Sequence, residues 1–216
     1  MLGHRGCRVG ITFPMIYDMQ VDAIMTASTR LRKDGVDAKP EVMIPLTTHV
    51  NEMSWLRNRL VGVMERVQRE AGIEVHCPFG TMIETPRAAI TAGEVARESD
   101  FFSFGTNDLT QMTYGFSRDD AEGKFLRYYV EHNVLPSDPF ISIDPEGVGE
   151  LVRMAVEKGR AAQPDLELGI CGEHGGDPRS ITFCHQVGLD YVSCSPFRVP
   201  TARLAAAQAA LADKAS

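Results

Sequence analysis

The stretch DFFSFGTNDLT, residues 100–110, decides the fold. Its first half is a short apolar run rich in aromatic residues, which predicts a buried strand. Its second half changes at once to glycine, hydroxyl, amide and carboxylate side chains, from Gly105 to Asp108. Parallel α/β folds place their functional side chains just beyond the carboxyl end of a strand. The stretch therefore predicts a strand that ends in a group of functional side chains.

Further strands are expected on both sides of this stretch. Short apolar segments predict them at 41–45, 80–83, 166–170 and 189–193. The strand at 80–83 is expected to begin with an apolar piece at 73–75 and then to resume. These segments are short, and longer segments of helical character separate them. Strands that alternate with helices in this way are parallel and are joined by helical crossovers.

The helices are predicted by periodicity and by their starting residues. Apolar residues recur at helical spacing from 14 to 32 and from about 48. At Thr85-Pro86 and at Asp177-Pro178 a capping residue precedes a proline, which fits the first turn of a helix. A last, alanine-rich helix is predicted from about Pro200. Helices thus separate the predicted strands.

The positions of the polar groups favour a barrel over an open sheet. An open sheet usually carries a glycine-rich phosphate loop after its first strand, and GEHGG at 172–176 has neither that spacing nor that place. Polar groups instead follow several strands, as at the rim of a (β/α)8 TIM-type barrel. Such a barrel has about eight strands, and five are predicted. We therefore expect 1–216 to be a partial barrel domain, its last five βα units, with three units upstream.

The segment from 115 to 143 has no clear helical or strand pattern. A connection this long at the functional rim of a barrel is commonly a lid or a binding loop. A surface insertion without consequence for function is an equally good interpretation.

Composition excludes several classes of function. The formal net charge is −7, which argues against a nucleic-acid partner because phosphate binding needs a basic face. There is no apolar run of about 18 residues and no secretory-type start, so no membrane association is expected. The five cysteines are odd in number and lack a Cys-x-x-Cys spacing. Reduced thiols in a cytoplasmic protein are the better interpretation.

Glu84 and Asp108 form a candidate metal site. Each follows a predicted strand, and the two strands are expected to be neighbours. Two carboxylates at this distance repel each other unless a cation lies between them, and hard oxygen ligands suit Mg²⁺ or Mn²⁺. An end-of-strand or capping role for either residue is about as common.

Cys171 and two arginines are further candidates. A thiol at a barrel rim can donate or accept a proton when its pKa is tuned, although a free cysteine is more often a small buried apolar residue. Arg5 and Arg8 flank Gly6-Cys7 and could clamp a phosphate or a carboxylate. Ordinary surface arginine is the commoner outcome for such a pair.

The ordered motifs together resemble the phosphoenolpyruvate-utilising enzymes, and within them the pyruvate phosphate dikinase family. The motifs are LGHRGCR at 2–8, GTMIETPR at 80–87, FGTNDLTQ at 104–111 and CGEHGGDP at 171–178. The resemblance spans essentially the whole chain, in order. The first and last motifs are similar to the dikinases in particular, since enzyme I of the sugar phosphotransferase system typically has Trp in place of His4.

The resemblance implies a site for pyruvate or phosphoenolpyruvate. Glu84 and Asp108 would ligate Mg²⁺, which would hold the substrate oxygens and stabilise the enolate. Arg5 would bind the transferring phosphoryl group. Asn107 and the backbone from Gly105 through Thr106 would orient the substrate.

Acid–base chemistry and partners follow from the same resemblance. Cys171 would be the general acid/base at the methyl or methylene carbon, with Tyr191 assisting. The phosphoryl group would come from a phosphohistidine domain that, like the nucleotide-binding domain, is missing from this chain, so no turnover is expected from the chain alone. The barrel domain of the family also mediates dimerisation, which predicts a homodimer.

Three other functions stay open at this point. The chain could belong to a phosphoenolpyruvate synthase or to an enzyme I-like phosphotransferase. It could be a non-catalytic dimerisation remnant. A metal-dependent aldolase-type barrel is a weaker alternative, and it predicts carbon–carbon cleavage without a phosphohistidine partner.

Overall fold

The structure, a computed structural model, describes residues 1–215 and contains one parallel sheet. Its strands, in spatial as well as chain order, are β1 (Val42–Ile44), β2 (Phe79–Ile83), β3 (Phe101–Gly105), β4 (Glu167–Cys171) and β5 (Tyr191–Val192). A doubly wound sheet reverses its strand order at a switch point, whereas a (β/α) barrel keeps consecutive strands adjacent. The sheet follows the second rule in all four pairings. The expected α/β class and barrel-type winding are confirmed.

Helices connect the strands and cover the sheet. They are α1 (Cys7–Thr12), α2 (Met15–Lys33), α3 (Val50–Ala71), α4 (Pro86–Ile90), α5 (Ala92–Ala96), α6 (Thr106–Tyr114), α7 (Arg118–Lys124), α8 (Leu126–Glu131), α9 (Val148–Ala162), α10 (Pro178–Gln186) and α11 (Val199–Ala215). Helix α2 packs on α3, α5 packs on α9, and α10 packs on α11.

Local sequence sets where the main helices begin and end. The side chains of Thr85 and Asp177 accept hydrogen bonds from the first turns of α4 and α10, as the two cap-proline pairs predict. His49 and Glu52 form a capping box at the start of α3. Gly72 ends α3 in the left-handed conformation, with φ of 67°.

The core lies between the sheet and its covering helices. All five residues of β3 are buried, as a central strand of a covered parallel sheet requires. Helix α3 turns Met53, Leu56 and Leu60, each with 0% exposure, towards this core. Burial on both sides of the sheet leaves its carboxyl-end rim as the place for polar side chains.

The predicted strand start at 73–75 is wrong. Residues 73–78 are irregular, and β2 begins at Phe79. The side chain of Gln68 in α3 accepts a hydrogen bond from the backbone of Val75 at 2.7 Å. The segment is therefore tied to a helix rather than to a neighbouring strand, although Val75 is buried as its apolar character predicts.

The segment 116–143, called the excursion below, is folded rather than irregular. It contains α7 and α8 and has a small core of its own, formed by Ala121, Leu126 and Phe140. Partly buried aromatic residues, among them Phe116 and Phe125, pack against this core. The predicted lack of helices here is wrong because each helix has only two turns at most, too few for a periodic pattern.

Among residues 1–215, none of the helices combines the length and the apolar character needed to cross a membrane.

Candidate active site

Three of the predicted site residues, Glu84, Gly105 and Cys171, lie side by side at one rim of the sheet. Gly105, the last residue of β3, pairs in register with Cys171, the last residue of β4. Ile83 pairs with Phe104, so Glu84 comes just beyond β2 and next to Gly105. The carboxyl ends of β2, β3 and β4 thus bring together residues that are far apart in the chain.

The carboxylate of Glu84 is held in a fixed position. The residue is only 6% exposed, and its Oε1 accepts a hydrogen bond of 2.6 Å from the backbone N–H of Leu46. Its side chain lies directly on Gly105, where a Cβ would come within 2.5 Å of Oε2 and 2.8 Å of the Glu84 Cβ. Only glycine at 105 leaves room for this carboxylate.

Burial and neighbouring charges act on Glu84 together. The pKa of Glu84 is raised to about 7, chiefly by burial and also by the charge of Asp108, against the lowering effects of the Leu46 N–H and the charge of Arg5. Asp108 lies in the first turn after β3, the neighbour of β2, and the turn of Arg5 packs on Leu46, whose N–H binds Glu84. A carboxylate in such surroundings is stabilised by a cation.

Asp108 lies in the first turn of α6 beside Asn107. Its Oδ1 accepts hydrogen bonds from Asn107 Nδ2 at 3.1 Å and from Gln111 Nε2 at 3.3 Å. The amide oxygen of Asn107 in turn accepts from Arg118 Nη1, in the excursion, at 3.0 Å. These contacts orient Asp108 and use only one of its two oxygens within residues 1–215.

The residues present fit a hard divalent cation. Glu84 Oε2 and Asp108 Oδ2 accept no hydrogen bond from residues 1–215, so one oxygen of each carboxylate is available to a cation. Mg²⁺ suits such a site because it is commonly bound by one or two carboxylates and keeps water or substrate oxygens for its other positions. The described chain contains no group of three or more His, Cys, Asp or Glu side chains arranged for a metal.

The thiol of Cys171 lies near Ser103 and donates a 3.7 Å hydrogen bond to the carbonyl oxygen of Phe104. Burial raises the pKa of Cys171, and the nearby charges of Glu84 and Asp108 raise it as well, so the thiol is protonated near neutral pH. The nearby hydroxyl of Ser103 opposes this shift. Burial also raises the pKa of Tyr191, and Ser103 opposes that shift in the same way. Cys171, Ser103 and Tyr191 are thus brought together.

Ser103 itself is a residue that the sequence analysis missed. It is 2% exposed in the middle of β3. The available signal was a hydroxyl group inside an otherwise apolar strand, where a polar side chain needs a hydrogen-bond partner. The ring of Tyr191 is placed near it because it packs on Gly169, where a Cβ would overlap the ring.

The two candidate arginines have different surroundings. Arg8 donates from Nη1 to the carbonyl oxygens of Met1 at 2.6 Å and Gly3 at 2.7 Å, so it fixes the first turn of the chain. Arg5 is exposed, and its charge lowers the pKa of Glu84. Only Arg5 is therefore free to meet an anion beside the carboxylates.

Comparison with known proteins gives the family. The sequence model of the PEP-utilising enzyme, PEP-binding domain (PEP, phosphoenolpyruvate) matches residues 1–211. The chain belongs to this family. The domain is 58% identical over 215 residues to pyruvate, phosphate dikinase of Clostridium symbiosum, covering 99% of this chain and 24% of that protein. It is 55% identical to pyruvate, phosphate dikinase 1, chloroplastic, of Arabidopsis thaliana, covering 98% and 22% respectively.

Two further comparisons concern extent and fold. Pyruvate, phosphate dikinase of Entamoeba histolytica is 54% identical, with 97% of this chain and 24% of that protein covered. The PEP-binding domain therefore spans about a quarter of the length of these curated relatives. A citrate lyase of Burkholderia xenovorans LB400 is similar in fold, with a TM-score of 0.52 and 16% identity over 78% of this chain and 49% of the other.

His174 connects three parts of the PEP-binding domain. Its Nε2 lies 2.9 Å from the carbonyl oxygen of Pro139, and its Nδ1 lies 2.6 Å from the hydroxyl of Thr106. Because a carbonyl only accepts, Nε2 carries the proton and Nδ1 accepts from Thr106. The ring is 1% exposed, and burial lowers its pKa, which keeps it neutral. The hydroxyl of Thr106 is thus used inside the protein, and Thr106 can meet a substrate only through its backbone.

Proposed function

We propose that this PEP-binding domain is the part of a pyruvate phosphate dikinase that binds pyruvate or phosphoenolpyruvate. The complete enzyme would convert ATP, phosphate and pyruvate into AMP, diphosphate and phosphoenolpyruvate. One observation carries the proposal: Glu84, Asp108 and Cys171 come from different βα units and lie at the carboxyl ends of the neighbouring strands β2, β3 and β4. The relatives at 54–58% identity are pyruvate, phosphate dikinases, which favours the dikinase over the other phosphotransferases of the family.

Glu84 and Asp108 would hold the metal, here Mg²⁺. When bound, this ion supplies positive charge next to the oxygen atoms of the substrate, where negative charge develops. Arg5 would bind the phosphoryl group, since it is exposed and its charge acts at the carboxylate of Glu84. Asn107, fixed by Arg118, would orient the substrate together with the backbone from Gly105 to Asp108.

Cys171 would move a proton at the methyl or methylene carbon of the substrate. The raised pKa of the thiol suits the donor in the direction that forms pyruvate. In the opposite direction the same sulfur takes the proton back. Ser103 and Tyr191 would assist by sharing hydrogen bonds with this group.

The rest of the enzyme lies outside the chain in this proposal. The phosphoryl donor would be a phosphohistidine domain, and three further βα units would complete the barrel around β1 and β5. We also propose a homodimer. The five thiols are free, which fits a reducing compartment such as the cytoplasm.

Titration calorimetry of the chain tests the proposal. We expect Mn²⁺ or Mg²⁺ to bind, and phosphoenolpyruvate to bind only when the metal is present. Glu84→Gln and Asp108→Asn should each abolish both signals, because each removes a charged oxygen ligand. Glu157→Gln, which alters an exposed glutamate of α9, is the matched control. A folded chain that binds phosphoenolpyruvate equally well without metal contradicts the proposed site.

A further inference from the structure

Leu46 has a backbone conformation that is rare for its residue type. It lies between β1 and α3 with φ of 58°, and its side chain is 2% exposed. Within residues 1–215, Asn133 is the one other non-glycine residue with positive φ, and asparagine tolerates the left-handed region far better than leucine. Strain of this kind persists where the surrounding structure fixes it, and it is concentrated at functional sites.

The conformation directs the amide of Leu46 into the candidate active site. The N–H donates to Glu84 Oε1 at 2.6 Å. The carbonyl on the other side of the residue accepts from the thiol of Cys7 at 3.3 Å. Both polar groups of this residue are therefore occupied, and neither can turn without losing a buried hydrogen bond.

The side chain of Leu46 packs against the turn that carries Arg5. Gly6 also has positive φ, 61°, and a Cβ on it would come within 3.0 Å of both Cβ and Cδ1 of Leu46. The N–H of Cys7 donates to the carbonyl of Pro45 at 3.1 Å. The turn before α1 and the loop after β1 are thus one packed unit, and we call Gly6 and Leu46 the brace.

We infer that Leu46 is a positioning residue for the metal-binding carboxylate. Its amide engages Oε1 of Glu84, and Gly105 lies against Oε2, so both oxygens of this carboxylate are held in place. The same residue fixes the turn of Arg5 through Gly6. This inference rests on the proposed function, because it concerns how the site is held ready for a divalent cation.

A substitution series separates the amide from the side chain. Leu46→Gly keeps the amide and relieves the strained φ, Leu46→Ala is intermediate, and Leu46→Val retains more side chain but opposes positive φ most strongly. We expect the wild type and Leu46→Gly to bind Mn²⁺ most tightly and Leu46→Ala to bind it less tightly. Leu46→Val should bind it most weakly, with a loss of affinity of roughly tenfold. Each affinity is measured on protein shown by circular dichroism to be folded. An order that follows side-chain size, with Gly weakest, overturns the inference.

A metal-free measurement tests the brace independently of the proposed function. In an ¹H–¹⁵N correlation spectrum, the Leu46 amide proton should be shifted far downfield and exchange slowly, because it donates to a buried carboxylate. Glu84→Gln should move it upfield, and Glu157→Gln should leave it in place. A Leu46 proton that does not respond to Glu84→Gln overturns the inference even if the metal binds. A responding proton in a chain that binds no metal supports the brace and contradicts the proposed function.

Discussion

Gly105 and Glu84 compete for the same space at the rim of the sheet. A Cβ at position 105 would lie 2.5 Å from Oε2 of Glu84, well inside van der Waals contact. The two residues belong to neighbouring strand ends and are far apart in the sequence. Gly105 looks like an ordinary turn residue in the sequence. In the structure, the buried carboxylate of Glu84 can occupy its position only because residue 105 has no side chain.

Gly105→Ala should displace the carboxylate. We expect Mn²⁺ affinity to fall at least roughly tenfold and the free energy of unfolding to fall by about 1 to 3 kcal/mol, as for other overpacked sites. Calorimetry and urea unfolding measure the two effects. The control is Gly62→Ala in α3, where a new Cβ meets open space and should stabilise the helix slightly. Unchanged metal affinity in Gly105→Ala would show that Oε2 is not a ligand.

The raised pKa of Glu84 gives the metal-free chain a specific dependence of stability on pH. Between the ordinary value of 4.5 and about 7, this group is protonated in the native state and ionised in the unfolded state. The native state then binds more protons, so the free energy of unfolding falls as pH rises through this window and is level above it. We expect a decrease of roughly 3 kcal/mol for the group.

Urea unfolding of the wild-type chain and of Glu84→Gln between pH 4 and pH 8 isolates this contribution. The difference between the two proteins cancels other titrating groups, including His174, whose lowered pKa acts in the opposite direction. A difference that stays constant over this range contradicts the burial of an ionisable Glu84. Saturating Mn²⁺ should restore stability most at the high end of the range, where the carboxylate is ionised.

Ser103→Ala should raise the pKa of Cys171, since the serine hydroxyl favours the thiolate. We expect the pH midpoint for alkylation of Cys171 by iodoacetamide, followed by peptide mass spectrometry, to move upward. Ser99→Ala is the matched control, because Ser99 is equally buried but donates to Val95 O, before β3 begins. If the pH midpoint for alkylation of Cys171 moved in both variants, the cause would be a general loosening of the structure and not the loss of the Ser103 hydroxyl.

The sequence predicted those features that depend on neighbouring residues. The strands, the caps at Thr85 and Asp177, and the polar groups at strand ends follow from local pattern, and each appears in the structure. The winding of the barrel follows from the order of elements. These predictions succeed because hydrogen bonding and burial act over short stretches of chain.

The remaining features depend on contacts between distant residues. The positive φ of Leu46, the contacts of Ser103 and the double hydrogen bond of His174 have no local signature, since their partners lie in other βα units. The helices of the excursion were missed for a related reason. They are stabilised by packing in the small core around Phe140, and they are too short to show a periodic sequence pattern.

His174→Ala should loosen the excursion. The substitution leaves the carbonyl of Pro139 and the hydroxyl of Thr106 without their buried partner. We expect the free energy of unfolding to fall by about 2 to 4 kcal/mol and tryptic cleavage after Lys124 or Arg127 to become faster. His132→Ala, which changes an exposed histidine of the same excursion, should alter neither. Equal cleavage rates in all three proteins would mean that His174 does not hold the excursion.

The proposed chemistry divides into a step this chain can perform and one that needs other domains. Removal and return of a proton at the methyl carbon of pyruvate needs only the carboxylate pair, the metal and Cys171. In D₂O with Mg²⁺ we expect the methyl protons of pyruvate to exchange for deuterium, followed by NMR. Cys171→Ala should slow the exchange at least roughly a hundredfold, the usual contribution of a positioned acid or base.

Cys77→Ala is the control for that experiment, because Cys77 lies before β2, at the opposite end of the sheet from the candidate site. The same chain should not convert pyruvate when ATP and phosphate are added, since the proposal assigns the phosphoryl carrier to a separate domain; His174, beside the site, is buried and hydrogen-bonded on both nitrogens. Conversion that depends on ATP and phosphate would refute the assignment of the phosphoryl carrier to a separate domain. Exchange that persists in Cys171→Ala would instead remove Cys171 from the proton transfer, while the carboxylate site could still stand.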